Sequence, residues 1–179
     1  MKIPRTSSSS AEHDPLTEFE DKSPAGGRES INLYATSLRG KRKTFEDCNS
    51  IRLLLENLKL VFVERDLSMH IGFREELWRV LGLRAIPPRL FIKGRYIGGA
   101  DEVLGLHEQG RLLAMVKGMP RTEPGQNACE ACAGMRFVVC FECNGGRKVY
   151  GEEQGVNVQC RRCNENGLVV CSRCCCCEK

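Results

Sequence analysis

The sequence contains no run approaching the ~18 apolar residues that a membrane-spanning helix requires. Its first residues also lack the continuous apolar stretch of a secretory signal. Glu12, Asp14, Glu18, Glu20 and Asp21 make them too acidic for an organellar transit peptide. These absences set the expectation of a soluble protein in the cytoplasm, or in the nucleus. Aromatic residues are scarce, at 6% of the chain, so the core has to be aliphatic.

Cysteine, by contrast, is plentiful. There are 12 in 179 residues, and all but Cys48 lie between Cys129 and Cys177. In a reducing compartment such clustering points to metal ligation rather than to disulfides spread over a fold. Eight of them form four pairs, Cys129/Cys132, Cys140/Cys143, Cys160/Cys163 and Cys171/Cys174. The run CEACAGMRFVVCFEC is echoed by CRRCNENGLVVCSRC, with Phe137 matched by Leu168. Two residues between cysteines let both sulfurs face one tetrahedral ion, so four pairs predict two zinc ions in closed sites. Arg136 to Val139 and Gly167 to Val170 are β-prone, and a strand rising ~3.3 Å per residue holds the knuckles at its ends apart. Ligands are therefore predicted to be shared in crossed order, first pair with fourth and second with third. Val156 to Gln159 is predicted to return along Lys148 to Tyr150 as a hairpin. Cys175, Cys176 and Cys177 exceed what the ligand set needs and read as a tail of reactive thiols.

Little net charge is left to attract nucleic acid. Eight thiolates and two divalent ions would bring the formal +4 to about zero, so a broad basic face is not expected. Arg39, Lys41, Arg42 and Lys43 form one local cluster, read as a solvated loop.

Residues 1–29, rich in Ser, Pro, Gly and charge, read as a disordered leader. Residues 30–118 carry alternating signals for strands and helices. These are a strand over Ile31 to Thr36, a helix capped by Thr44 with Phe45, Cys48, Ile51, Leu55 and Leu58 on one face, and a strand over Leu60 to Glu64. A helix over His70 to Leu81 follows, then strands Arg89 to Lys93 and Tyr96-Ile97 around a turn at Lys93-Gly94. A helix capped by Asp101 and a short one over Arg111 to Val116 complete the set. The order β-α-β-α-β-β-α-α describes a compact α/β sandwich. Residues 119–127 read as a linker, and 128–179 as the cysteine module.

The stretch IPPRLFIKGRYIGGADEV resembles the glutaredoxin pattern, in which a cis-proline precedes a strand, a turn, and a Gly-Gly-x-Asp that opens a helix. The matching positions are Pro88, Arg89 to Lys93, and Gly98-Gly99-Ala100-Asp101. Together with YATSLRGKRKTFEDC and the paired cysteines, it is similar to the plant glutaredoxin-like, cysteine-rich proteins. The animal glutaredoxin domain-containing cysteine-rich proteins look like more distant relatives. CEACAG and CFECNGG resemble the repeats of the DnaJ-type zinc domain. The third pair departs from that pattern, with Glu165 in place of the first glycine. The resemblances imply a thioredoxin-like domain followed by a small zinc-binding β-hairpin module.

In glutaredoxins the leading cysteine of a CxxC or CxxS at the start of the first helix is the nucleophile. Here the corresponding run is Phe45-Glu46-Asp47-Cys48, so Phe45 takes that place. Cys48 falls on the apolar stripe and reads as a small buried hydrophobe. The resemblance also implies a glutathione cradle at Lys41, Pro87, Pro88, Gly98, Gly99, Ala100 and Asp101. It is weakened at Pro87, which has no N–H to give the tripeptide. The expected function is a non-enzymatic adaptor for an unidentified protein partner. The alternative is a glutathione-dependent thiol–disulfide oxidoreductase using Cys48. Iron–sulfur carriage fails on the same missing cysteine.

Overall fold

The computed structural model describes residues 14–122, 129–151 and 155–173. The first unit runs β1 (Ile31–Ala35), α1 (Arg42–Asn57), β2 (Val63–Asp66), α2 (Ile71–Leu81), β3 (Arg89–Ile92), β4 (Arg95–Gly98), α3 (Ala100–Glu108) and α4 (Arg111–Met115), in the order that the periodicity predicts. The strands lie in the order β2-β1-β3-β4, with β1 parallel to β2 and antiparallel to β3.

All five residues of β1 are buried, as an interior strand covered on both faces requires. Alternate side chains leave on opposite faces. Ile31, Leu33 and Ala35 join Ile51 and Leu55 of α1, Val103 of α3 and Leu112 of α4. Tyr34 joins Phe91 of β3 with Leu77 and Leu81 of α2. The helices therefore sandwich the sheet, α1 and α3 on one face and α2 on the other.

Three element boundaries differ from expectation. α1 starts at Arg42 with Lys41 as its N-cap, not at Thr44. The ion pairs Arg42–Glu46 (2.7 Å) and Lys43–Asp47 (2.9 Å), at helical i,i+4 spacing, support the earlier start. α3 is capped by Gly99 rather than by Asp101, because the Glu102 carboxylate reaches back to accept from the Gly99 N–H at 2.8 Å. β2 begins only at Val63, because Leu60 is drawn into the core and bridges to Arg121.

The expectation of a disordered leader through residue 29 is corrected for residues 14–29. Leu16 is 3% exposed within the core, with Phe19 packed against it. The Lys22 N–H donates to the Gly94 carbonyl and the Tyr96 N–H to the Glu20 carbonyl, both at 3.0 Å, so this segment covers the open edge of β4. Ala25 is held by the buried Arg65–Glu76 ion pair: its carbonyl accepts from Arg65 Nη2 at 2.7 Å, and its N–H donates to Glu76 Oε1 at 3.0 Å. Two apolar anchors and a strand edge supply what the polar composition lacked. Residues 1–13 lie outside the described residues.

The start of the expected linker also packs. Met119 is buried, and the Thr122 N–H donates to the Lys59 carbonyl at 2.7 Å. Beyond it come β5 (Phe137–Val139), β6 (Lys148–Gly151), β7 (Val156–Gln159) and β8 (Leu168–Val170). β6 pairs antiparallel with β7 as the predicted hairpin, and β5 with β8, joining the two halves of the repeat. Among the described residues no helix is long and apolar enough to cross a membrane.

Candidate metal centres and the degenerate thiol site

The antiparallel pairing of β5 with β8 and of β6 with β7 decides which knuckles meet. Cys140, Cys143, Cys160 and Cys163 gather their four sulfurs within 4.8 Å of one another, as do Cys129, Cys132 and Cys171. This is the crossed order expected from strand length. Cys174, the expected fourth ligand of the second cluster, and Cys175 to Cys177 lie outside the described residues. Sulfur separations are 3.9 Å for Cys140–Cys160, 3.5 Å for Cys143–Cys163 and 3.9 Å for Cys129–Cys171. A tetrahedron with metal–sulfur bonds of ~2.3 Å has edges of about 3.8 Å, so the donor set fits such an ion. Without a metal the sulfurs compete for protons. Desolvation raises both Cys143 and Cys163, but hydrogen bonding from Cys163 brings Cys143 down to about 7, while Cys163 is pushed up to about 12.

The first two knuckles share one backbone path. Ala133 and Gly134 are left-handed in one, Asn144 and Gly145 at the same places in the next, and Arg136 and Arg147 close each turn with φ of 61°. The third knuckle is left-handed only at Gly167, with φ of 74°. A Cβ there would come within 2.4 Å of the Gly145 carbonyl oxygen, so the second and third knuckles touch backbone to backbone at the four-cysteine cluster.

In the first unit, the place of a glutaredoxin thiol is filled differently. Phe45 is half-buried beneath the Arg39 guanidinium, 5.2 Å from its ring centroid. Cys48 is 0% exposed and belongs to the core cluster. Burial raises its thiol above the ordinary value, outweighing a backbone contact with Thr36 and the Arg52 charge.

Six of the seven predicted cradle residues line two clefts that share Thr44, Ile86 and Pro87. One, of about 540 Å³, is lined by Lys41 and Pro87 with Leu38, Arg74 and Trp78. The other, of about 300 Å³, is lined by Pro87, Pro88, Gly99, Ala100 and Asp101. The Pro87–Pro88 peptide is cis. Gly98 lines neither cleft. Its φ is +137° and a Cβ there would meet Glu102 Cβ at 2.7 Å, so the fold itself needs glycine at this position. The Gly99 N–H is already donated to Glu102, and Lys43 to Asp47. Sequence reasoning missed Trp78 and Arg74, which look like any amphipathic helix until α2 is set against the Ala85 to Pro87 loop.

A family model described as "Glutaredoxin" matches residues 31–97, and one described as "GRXCR1/2, C-terminal domain" matches residues 129–175. An uncharacterised Arabidopsis thaliana protein is 43% identical over 180 residues, covering 90% of this chain and 46% of its own length. Mouse glutaredoxin domain-containing cysteine-rich protein 1 is 31% identical over 153 residues, covering 82% of this chain and 52% of its own. The chain thus spans about half the length of these curated relatives. Among solved structures, a buckwheat glutaredoxin–glutathione complex is similar at 24% identity and a TM-score of 0.40, covering 48% of this chain and 74% of that one.

Proposed function

Because the chain is a glutaredoxin-domain, cysteine-rich protein with a C-terminal cysteine-cluster module, related to plant proteins of that kind, we propose that it works as a non-enzymatic adaptor. One observation carries this reading: the domain's single described cysteine, Cys48, is fully buried, and Phe45 occupies the nucleophile's place. Thiolate chemistry needs an exposed sulfur of lowered pKa, and burial works the other way.

The larger cleft is the recognition surface in this reading. Leu38, Trp78, Ile86 and Pro87 give it an apolar lining, Lys41 and Arg74 supply cations, and Arg84 lies 5.3 Å from the centroid of the Trp78 ring. Such a groove suits an extended protein segment presenting an apolar side chain beside carboxylates. Glutathione fits it less well, since Pro87 and the Gly99 N–H are both lost as donors.

The module takes two zinc ions in this reading. All-thiolate tetrahedra suit zinc, and closed sites leave no open position for a substrate. Matching left-handed residues in the first two knuckles and the crossed sharing of cysteines support a DnaJ-type zinc domain. Cysteines in this number, clustered for metal ligation, fit a reducing compartment, the cytoplasm or the nucleus.

Glutathione-dependent reduction of a small mixed disulfide tests the adaptor reading. Wild type and Cys48→Ser are expected to show no turnover above background, and Phe45→Cys a measurable gain. Robust wild-type turnover abolished by Cys48→Ser overturns the reading.

A further inference from the structure

Glu165 breaks the glycine pattern of its own module. It stands at the place that Gly134 and Gly145 fill with left-handed backbone in the first two knuckles, and it is not itself left-handed. Its side chain goes to the other domain, where its carboxylate accepts from the Ile71 N–H in the first turn of α2. Its neighbours do the same. Asn164 Nδ2 donates to the Met69 carbonyl at 2.8 Å, and Asn166 Nδ2 donates to the carbonyls of Ser68 and Met69, both at 3.1 Å. Beside them Phe137 of β5 stands edge-on to Phe73 and His70, with centroids at 6.0 and 6.2 Å.

This three-residue loop is built on the four-cysteine cluster. It follows Cys163 directly, and Asn164 Oδ1 closes it by accepting from the N–H groups of Asn166 and Leu168, each at 3.0 Å. Arg147 of the second knuckle donates to the Glu165 carbonyl at 3.1 Å, and Gly167 abuts Gly145. On the other side, the peptide that the loop holds is a wall of the larger cleft. Ser68 lines that cleft. Its N–H donates to Asp66 Oδ1 at 2.8 Å, and Asp66 Oδ2 accepts from the Ser37 N–H at 3.1 Å, which leads on to Leu38.

We propose that Asn164, Glu165 and Asn166 form a metal-dependent clasp. An ion held by Cys140, Cys143, Cys160 and Cys163 fixes the loop, and the loop fixes the Ser68-Met69 peptide, the start of α2 and one wall of the groove. Loss of the ion frees the loop and loosens that wall, so metal content regulates the recognition surface. The consequence for recognition rests on the adaptor reading, whereas the clasp itself does not.

Amide hydrogen exchange on the full chain tests this, with zinc-loaded protein compared before and after chelation. Exchange across residues 67–73 should speed up by roughly tenfold or more on chelation, while β1 and β3 keep their protection. The double substitution Glu165→Gly and Asn166→Ala should reproduce that loss in protein whose zinc content by elemental analysis is unchanged, because it removes no ligand. Unchanged protection of residues 67–73 in either experiment overturns the clasp. So does equal loss across β1 and β3, which would make the module part of the domain's core. Neither result depends on turnover, so an active oxidoreductase would sink the adaptor reading and leave the clasp standing.

Discussion

Glu76 is 8% exposed and faces Arg65, itself 5% exposed, beneath the Ala25 backbone. Burial alone would raise its carboxyl, but the hydrogen bond and charge of Arg65, with the Ala25 N–H, hold it below the ordinary 4.5. A carboxyl depressed on folding contributes stability that is complete above its unfolded value and is lost as pH falls through the lower folded one. Glu76→Gln removes the carboxylate that faces the buried Arg65 guanidinium and should cost about 3 kcal/mol at neutral pH. Denaturant midpoints for both proteins, taken from pH 7 downward, should show the gap shrinking below about pH 4.5 as the wild type loses the same interaction. A gap that stays constant with pH would mean that the ion pair carries no net stability. The Arg65–Glu76 pair was invisible in the sequence, because Arg65 sits on a strand and Glu76 on a helix, and only the packing of α2 against the sheet brings them together. Cys48, by contrast, was legible at this scale: one apolar stripe at helical spacing placed it in the core.

The knuckles show what a single missing side chain does for an element. Gly167 has φ of +74° and lies against the backbone of Gly145, whereas Gly155, with φ of +63°, has nothing within 4 Å. Gly155→Ala therefore meets only the backbone cost of a left-handed residue, about 1 kcal/mol. Gly167→Ala must also push two knuckles apart, and should weaken one zinc site by tenfold or more in competition with a chromophoric chelator. Equal effects from the two substitutions would show that the close approach is not used. Element order was legible throughout, because period-two and period-3.6 patterns survive in the short segments around β1, α1 and α2. Element starts were less so. Thr44 looks like a cap, but the Arg42–Glu46 and Lys43–Asp47 pairs carry α1 past it. Residues 14–29 read as disordered because composition counts polar groups and cannot see that a strand edge will satisfy them. The Asn164 to Asn166 run shows in the sequence only as a departure from the glycine pattern, at Glu165, because its partners are contributed by another domain.

At the scale of the whole chain, the two cysteine clusters differ in what they are joined to. The cluster of Cys129, Cys132 and Cys171 draws its described ligands from the first and last of the four pairs. The cluster of Cys140, Cys143, Cys160 and Cys163 is closed by the β6–β7 hairpin and carries the Asn164 to Asn166 loop on its last ligand. Removing one ligand from each should therefore have unequal consequences, although the lost coordination is chemically the same. Cys132→Ser is expected to take bound zinc from about two ions to about one and to leave residues 67–73 protected. Cys143→Ser should lose the same amount of zinc and also free the start of α2, raising exchange there to the level of the chelated wild type. Cadmium NMR on both variants identifies the surviving site. The signal remaining in Cys132→Ser must belong to the sulfurs of Cys140, Cys143, Cys160 and Cys163, and the other signal must remain in Cys143→Ser. If either single substitution removed both signals, the clusters would be one cooperative unit, and no separate assignment of the clasp to one of them would hold. If each removed one signal but both freed α2 equally, Phe137 on β5, packed against Phe73 and His70, would be the contact that matters, because β5 runs between the two clusters and answers to both.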